Sequence, residues 1–165
     1  MNVVLYEPDI PGNTGNVARS CVATGTTLHL VGRLGFKLDE PRLKRAGLDY
    51  WPKLKLVRHE DWESFLKSRP AEPPLFFFSK RAARSYWSAV FHPESYLVFG
   101  CETQGLPPAF HQRYGERMYA IPMASQSVRS LNLSSAAAII LYEALRQTNP
   151  ASTLILHDRH PSSAA

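Results

Sequence analysis

Short apolar runs alternate along this chain with segments whose apolar residues recur every three or four positions. The run NVVLYE (2–7) is rich in β-branched residues and stops at Pro8, which predicts a strand. NTGNVARSCVATG (13–25) places Val17, Cys21 and Val22 on one stripe, with Asn13 or Thr14 as a cap and Gly25 as a stop, and predicts a helix. TLHLVG (27–32) predicts the next strand, DEPRLKRAGLDYW (39–51) a short helix ending near Gly47, and the alternating KLKLVR (53–58) a third strand. EDWESFLKS (60–68) carries acidic residues in its first turn, as a helix favours. LFFFS (75–79) and SYLVFG (95–100) are continuous apolar runs of buried-strand type. PPAFHQRY (107–114) opens with prolines that a first helical turn tolerates, and RMYAIPM (117–123) is a strand limited by Pro122.

The last and longest helix is predicted from about Leu133 to Gln147. A polar entry, SVRSLNLSS, runs straight into AAAIILY, the seven apolar residues Ala136 to Tyr142. A membrane span needs roughly 20 such residues, so the stretch is a core helix with a polar entry. Glu143 and Arg146 stand three apart on its surface and give it modest support. Strands and helices alternating in this order predict an α/β fold with a mainly parallel sheet flanked by helices. Residues 1–150 are expected to form a single domain, and the unpatterned tail 151–165 to be loose.

Composition adds limits. The chain has 165 residues, of which 44% are hydrophobic and 20% charged, as in a soluble globular protein. The start has no basic region followed by a long apolar run, so no secretory signal is visible. Cys21 and Cys101 make neither a CxxC nor a metal spacing and are expected to be reduced, partly buried thiols of a cytoplasmic protein. The net charge of +5 is compatible with a polyanionic partner. Arg42, Lys44 and Arg45 form one basic cluster. Lys80, Arg81 and Arg84 form another, interleaved with Tyr86 and Trp87. Composition alone leaves two readings open for them, solvated helix faces or a surface touching phosphates and bases.

Three loops carry the candidate chemistry, because ligands in open α/β sheets sit beyond the carboxyl ends of the strands. In PDIPGNTGNVAR, Gly12 and Gly15 allow close backbone approach, yet the spacing is neither GxGxxG nor a phosphate-binding GxxxxGK[ST]. In FGCETQGLP, Gly100 and Gly105 bracket Glu102, which either accepts backbone N–H groups or orients a substrate. In the third loop, Ser130, Asn132 and Ser134 can each bond backbone or ligand. Tyr142 is open between a core residue and a functional hydroxyl. No HExxH, zinc pattern or GxSxG elbow is present, and HDRH in the tail lacks a scaffold, so no metal is expected.

Taken together, PGNTGNVAR, FGCETQGLP and IPM…SVRSLNLSSAAAIILYEALRQ resemble the three signature motifs of the SPOUT RNA methyltransferases. The start VVLYEPDIPGNTGN and RLKRAGLDYW resemble its TrmL-type (YibK-like) branch of tRNA 2′-O-methyltransferases, over about residues 1 to 147. The resemblance implies a parallel α/β fold with a deep C-terminal trefoil knot, a homodimer, and S-adenosyl-L-methionine as cofactor. It implies tRNA as substrate, with methylation of the wobble cytidine or uridine of leucine tRNAs. By matching motif positions it implies that Phe78, Gly100, Ile121, Met123, Ser130, Leu131 and Asn132 line the cofactor. It places Arg19 and Asn16 of one subunit against the ribose held by the other, with Glu102 and Tyr142 as further motif positions. Gly12 stands where relatives often have proline, and the loop from Met123 to Ser130 is about a residue longer than usual.

The implied reaction is in-line attack of a ribose 2′-hydroxyl on a sulfonium methyl, which needs orientation and a proton acceptor but no metal. Guanidinium groups do not deprotonate in proteins, so Arg19 is expected to polarise or position the 2′-oxygen. The two basic clusters are then expected to hold tRNA phosphates. The alternatives are the same transfer on another tRNA or ribosomal RNA site, and a non-catalytic RNA-binding module.

Overall fold

The computed structural model of the chain describes residues 1–38, 50–124 and 127–148. Seven strands of the described residues form one sheet: β1 (Asn2–Tyr6), β2 (Thr27–Val31), β3 (Leu56–His59), β4 (Leu75–Phe78), β5 (Arg84–Ser85), β6 (Tyr96–Phe99) and β7 (Met118–Ala120). Their spatial order is β3-β2-β1-β6-β4-β7-β5, and every neighbouring pair is parallel. Among the described residues, four helices cover the faces: α1 (Pro11–Thr24), α2 (Trp62–Ser68), α3 (Pro108–Tyr114) and α4 (Leu133–Thr148).

The alternation of side chains along each strand assigns residues to two cores. On one face Val3, Leu5, Leu28, Leu30, Phe76, Phe78, Leu97 and Phe99 meet Val17, Ala18 and Cys21 of α1 and Ala137, Ile140, Leu141 and Ala144 of α4. On the other, Val4, Val31, Leu75, Phe77, Tyr96 and Val98 meet Trp62 and Phe65 of α2 and Phe110 of α3. Because both faces are covered, the central strands read as unbroken apolar runs rather than alternating ones, as in LFFF and YLVF. The alanines of α4 let it lie close to the sheet and to α1.

Local signals hold at several element ends. Gly25 stops α1 in the left-handed region at φ 68°, its N–H reaching back to carbonyls of the last turn. Asp61 caps α2 in a reciprocal box with Ser64. Cys21 is a buried free thiol, pushed up to about 12 by burial, and Cys101 is a half-buried free thiol.

Other expectations are corrected. Helix α1 starts at Pro11 with Ile10 in the cap position and no side-chain cap, not at Asn13 or Thr14. Proline at the first helical position needs no N–H partner, and the Asn13 side chain is engaged elsewhere. The third strand is Leu56–His59, while Trp51–Lys53 is a single 3-10 turn. Residues 80–87 do not form a solvated helix face. A turn after β4 leads into β5, which adds to the sheet edge beside β7, and Tyr86–Ser88 is a 3-10 turn. Arg84 helps fix this edge by donating to the Glu116 carbonyl (2.8 Å) and stacking on Tyr119. The helix expected over 39–51 falls, up to residue 49, outside the described residues, as do Arg42, Lys44, Arg45 and the tail.

Candidate functional site

Three loops leave the carboxyl ends of strands in one half of the sheet: 7–10 after β1, 100–107 after the adjacent β6, and the segment after β7, one strand beyond β4, that leads to α4. Sheet order reverses at β1, with β2 on one side and β6 on the other, and such a switch point opens a crevice between loops. A cleft of about 790 Å³ lies there, within the roughly 300–1,000 Å³ range of small-molecule sites.

One chain of hydrogen bonds joins all three loops. The Glu102 carboxylate accepts from the Asp9 backbone N–H (2.8 Å) through one oxygen and from the Asn13 amide (2.9 Å) through the other. The carbonyl oxygen of Asn13 accepts from the Asn132 amide (2.9 Å). The carbonyl oxygen of Asn132 accepts from the Ser134 N–H (2.8 Å) and hydroxyl (2.7 Å), capping the start of α4. Residues 89 and 119 positions apart in sequence are thereby fixed in register. Of the two readings open for Glu102, the acceptor role is the one its partners show. Both of its oxygens are occupied in holding the loops.

Gly100 is required by close approach. A Cβ there would lie 2.2 Å from the Gly105 carbonyl carbon and 2.3 Å from the Leu106 nitrogen, both backbone atoms. The loop folds back this tightly because the Gly105 N–H donates to the Cys101 carbonyl (2.9 Å) and Gly105 sits at φ 73°.

The structure brings together Phe78, Gly100, Ile121, Met123, Ser130, Leu131 and Asn132, all of which line the cleft, with Glu102 and with Lys80 and Arg81. Phe78 stacks on Phe99, 5.0 Å between ring centres, and the two form a flat aromatic wall. Arg19 and Asn16 are exposed on α1 and are not part of the lining. The Arg19 guanidinium lies 5.1 Å over the Tyr50 ring, whose hydroxyl donates to the Gly15 carbonyl (2.9 Å). Tyr142 is exposed on α4, away from the cleft. Sequence reasoning missed Asn13 as the central link and Glu7 as a lining residue. Asn13 reads as a helix cap in sequence, and only the meeting of three distant loops reveals its other use. Among the described residues, no cluster of three or more metal-ligating side chains occurs.

Fold and cleft define an α/β protein whose small-molecule site is assembled from strand-end loops at the switch point of a parallel sheet. The chain belongs to the SpoU rRNA Methylase family, which it matches over residues 1–142. A tRNA (cytidine(34)-2'-O)-methyltransferase of Burkholderia pseudomallei is 44% identical over 148 residues, covering 88% of this chain and 94% of that protein. A solved structure described as "Structural insights into the 2-OH methylation of C/U34 on tRNA" is 46% identical with a TM-score of 0.84, covering 88% of this chain and 94% of the other. The SpoU methyltransferase AviRb from Streptomyces viridochromogenes, solved in complex with the cofactor AdoMet, is 28% identical with a TM-score of 0.77. That match covers 89% of this chain and 57% of AviRb.

Proposed function

We propose that this chain transfers a methyl group from S-adenosylmethionine to the ribose 2′-hydroxyl of the wobble cytidine or uridine of tRNA, with leucine tRNAs as its substrates. The observation that carries the reading is the Glu102–Asn13–Asn132–Ser134 chain of hydrogen bonds, which closes three motif loops around one cleft. Relatives across almost the whole chain carry out 2′-O-methylation at that position by name.

The lining fits the cofactor. Phe78, Phe99, Ile121, Leu131 and Ala136 supply apolar walls for a purine, and the exposed Lys80 and Arg81 supply cations for tRNA phosphates beside it. The cofactor, when bound, supplies an activated sulfonium methyl. The chain's own residues then orient and desolvate. The loop network ties the loops of the cleft to one another, which reduces the reorganisation left for the reacting state.

Arg19 and Asn16 lie on the exposed face of α1 outside their own cleft, which supports a homodimer in which a second subunit presents them to the ribose. Ile139 and Tyr142, three positions apart on the neighbouring α4, add exposed apolar surface that such a partner could cover. In this arrangement Arg19 polarises the 2′-oxygen, and a phosphate or water takes the proton. The knotted path implied by the family belongs to the same reading. No helix among the described residues is long and apolar enough to cross a membrane, in keeping with a cytoplasmic tRNA enzyme. The test is incubation of the protein with S-adenosylmethionine and total tRNA lacking the modification, with new 2′-O-methyl groups mapped by mass spectrometry. Methylation confined to position 34 is expected. Methyl groups only elsewhere, or none, would overturn the proposal.

A further inference from the structure

Beside the main cleft, toward β2, lies a second one of about 290 Å³. Its walls come from the loops after β1, β2 and β6, and they are tightly joined. The Gly35 N–H donates to the Pro8 carbonyl (3.0 Å), and a Cβ on Gly35 would lie 2.9 Å from the Asp9 backbone. The Asp9 carboxylate is already bound by the Thr103 hydroxyl (2.5 Å).

Glu7 lines both clefts. Its backbone sits at φ 49°, and it is the one non-glycine residue at positive φ among the described residues. The conformation is held by its own N–H donating to the Val31 carbonyl (2.9 Å). Gly32 makes room for the side chain, since a Cβ there would lie 2.8 Å from the Glu7 Cγ. The sequence and fold thus hold a strained residue over a glycine to place one carboxylate between two cavities. Among the described residues that carboxylate has no hydrogen-bond partner, and neither does the exposed Arg33 guanidinium facing the smaller cleft.

We propose that this second cleft receives the base of the nucleotide being methylated, with the Glu7 carboxylate accepting a base N–H and Arg33 donating to a base carbonyl oxygen. The inference rests on the methyl-transfer reading above and adds how the target base is chosen. Cytosine offers its N4 amino hydrogens and the O2 carbonyl, whereas uracil offers N3–H and the same O2. One acceptor and one cation therefore serve both pyrimidines. Adenine also offers an amino group, but its acceptors are ring nitrogens set differently from a pyrimidine O2, so it would pair less well with Glu7 and Arg33 held at one spacing. Placing the base between these loops also anchors its ribose at the shared rim beside Glu7, next to the cofactor cleft.

The test uses the full chain with S-adenosylmethionine and anticodon stem-loops carrying cytidine, uridine or adenosine at the target position. The variants are Glu7→Gln, which keeps side-chain size, and Arg33→Gln at an exposed site. Cofactor Kd and thermal unfolding are measured alongside. The wild type should prefer both pyrimidines over adenosine in kcat/KM by on the order of tenfold or more. Arg33→Gln should lower kcat/KM on the pyrimidine RNAs by a similar factor and flatten that preference, with cofactor Kd unchanged. Glu7→Gln should flatten the preference in the same way, its cofactor Kd being free to change because Glu7 also lines the cofactor cleft, and if it unfolds, Arg33→Gln alone decides. An unchanged preference in Arg33→Gln, or a parallel loss of cofactor affinity, overturns the inference and leaves the methyl-transfer reading standing. No transfer by the wild type to any of these RNAs would overturn that reading, and this inference with it.

Discussion

Replacing Gly100 by alanine adds one methyl group at the tightest backbone approach in the site. The new Cβ would lie 2.2 Å from the Gly105 carbonyl carbon, 2.3 Å from the Leu106 nitrogen and 2.5 Å from the Gly105 oxygen. No flexible side chain is available to move aside, so the 101–107 loop itself must retreat by roughly 1 Å to regain ordinary contact. That displacement carries Glu102 with it and stretches its bonds to the Asp9 N–H and the Asn13 amide, now 2.8 and 2.9 Å, past useful length. Overpacking typically costs about 1–3 kcal/mol, and weakening hydrogen bonds to a charged group about 1.5–3 kcal/mol. A net loss of about 3–5 kcal/mol is expected. Urea unfolding should show a lower midpoint, and calorimetric titration should show S-adenosylmethionine affinity reduced at least tenfold. Gly12→Ala is the matched control. Nothing lies within 4 Å of a Cβ there, and the residue is helical, so stability should stay level or rise by up to about 1 kcal/mol. If Gly100→Ala unfolds at the wild-type midpoint and binds cofactor normally, the close-approach argument fails, and so does the claim that this loop shapes the cleft.

Glu102→Gln keeps the volume but turns an amide donor toward a donor already present. It should cost about 1–3 kcal/mol in urea unfolding and weaken cofactor binding, and an unchanged affinity would argue against the loop network as the determinant of the cleft. His29 and His59 are buried and hydrogen-bonded at 3.0 Å. Burial first, and then the neighbouring His59, lowers the His29 pKa to about 4, while burial lowers that of His59. A depressed histidine pKa means that the unfolded chain binds protons more readily. Stability should therefore fall as pH drops from about 6.5 toward 4, and a His29→Gln variant should show a flatter pH dependence of its urea midpoint. Phe65→Ala should cost about 3–5 kcal/mol, because the ring is fully buried against Trp62, Tyr96 and both histidines, and thermal unfolding reads the loss. Neutralising Lys80 and Arg81 together should weaken tRNA binding and reduce the slope of log K against log salt by up to about 2, as filter binding across a salt series would show.

Much of the fold was legible in sequence, for a physical reason. LFFF and YLVF are buried strands because helices cover both faces of the sheet, and an apolar run four residues long has few other uses between turn signals. Gly25 and the Asp61–Ser64 box act on groups a few residues away, so their meaning is local and survives folding. The start of α1 was misread because Asn13 has two possible partners in sequence, the helix N–H groups and a distant side chain, and only the fold chooses between them. For segment 80–87 the helix-face reading falls because its edge-strand pairing with β7 depends on a neighbour more than 30 positions away.

By itself, the sequence determined the alternation of strands and helices, the two-faced burial and the presence of three glycine- and asparagine-rich loops. Those properties follow from side-chain periodicity and local backbone preference, which act over a few residues. Only the tertiary structure decided the strand order β3-β2-β1-β6-β4-β7-β5, and with it which loops meet. That order brings Glu102, Asn13 and Asn132 into one hydrogen-bonded chain and sets Glu7 between two clefts. A site built from contacts across about 90 to 120 positions has no signature in any short window, because its energy belongs to pairs that become neighbours only when the sheet is complete.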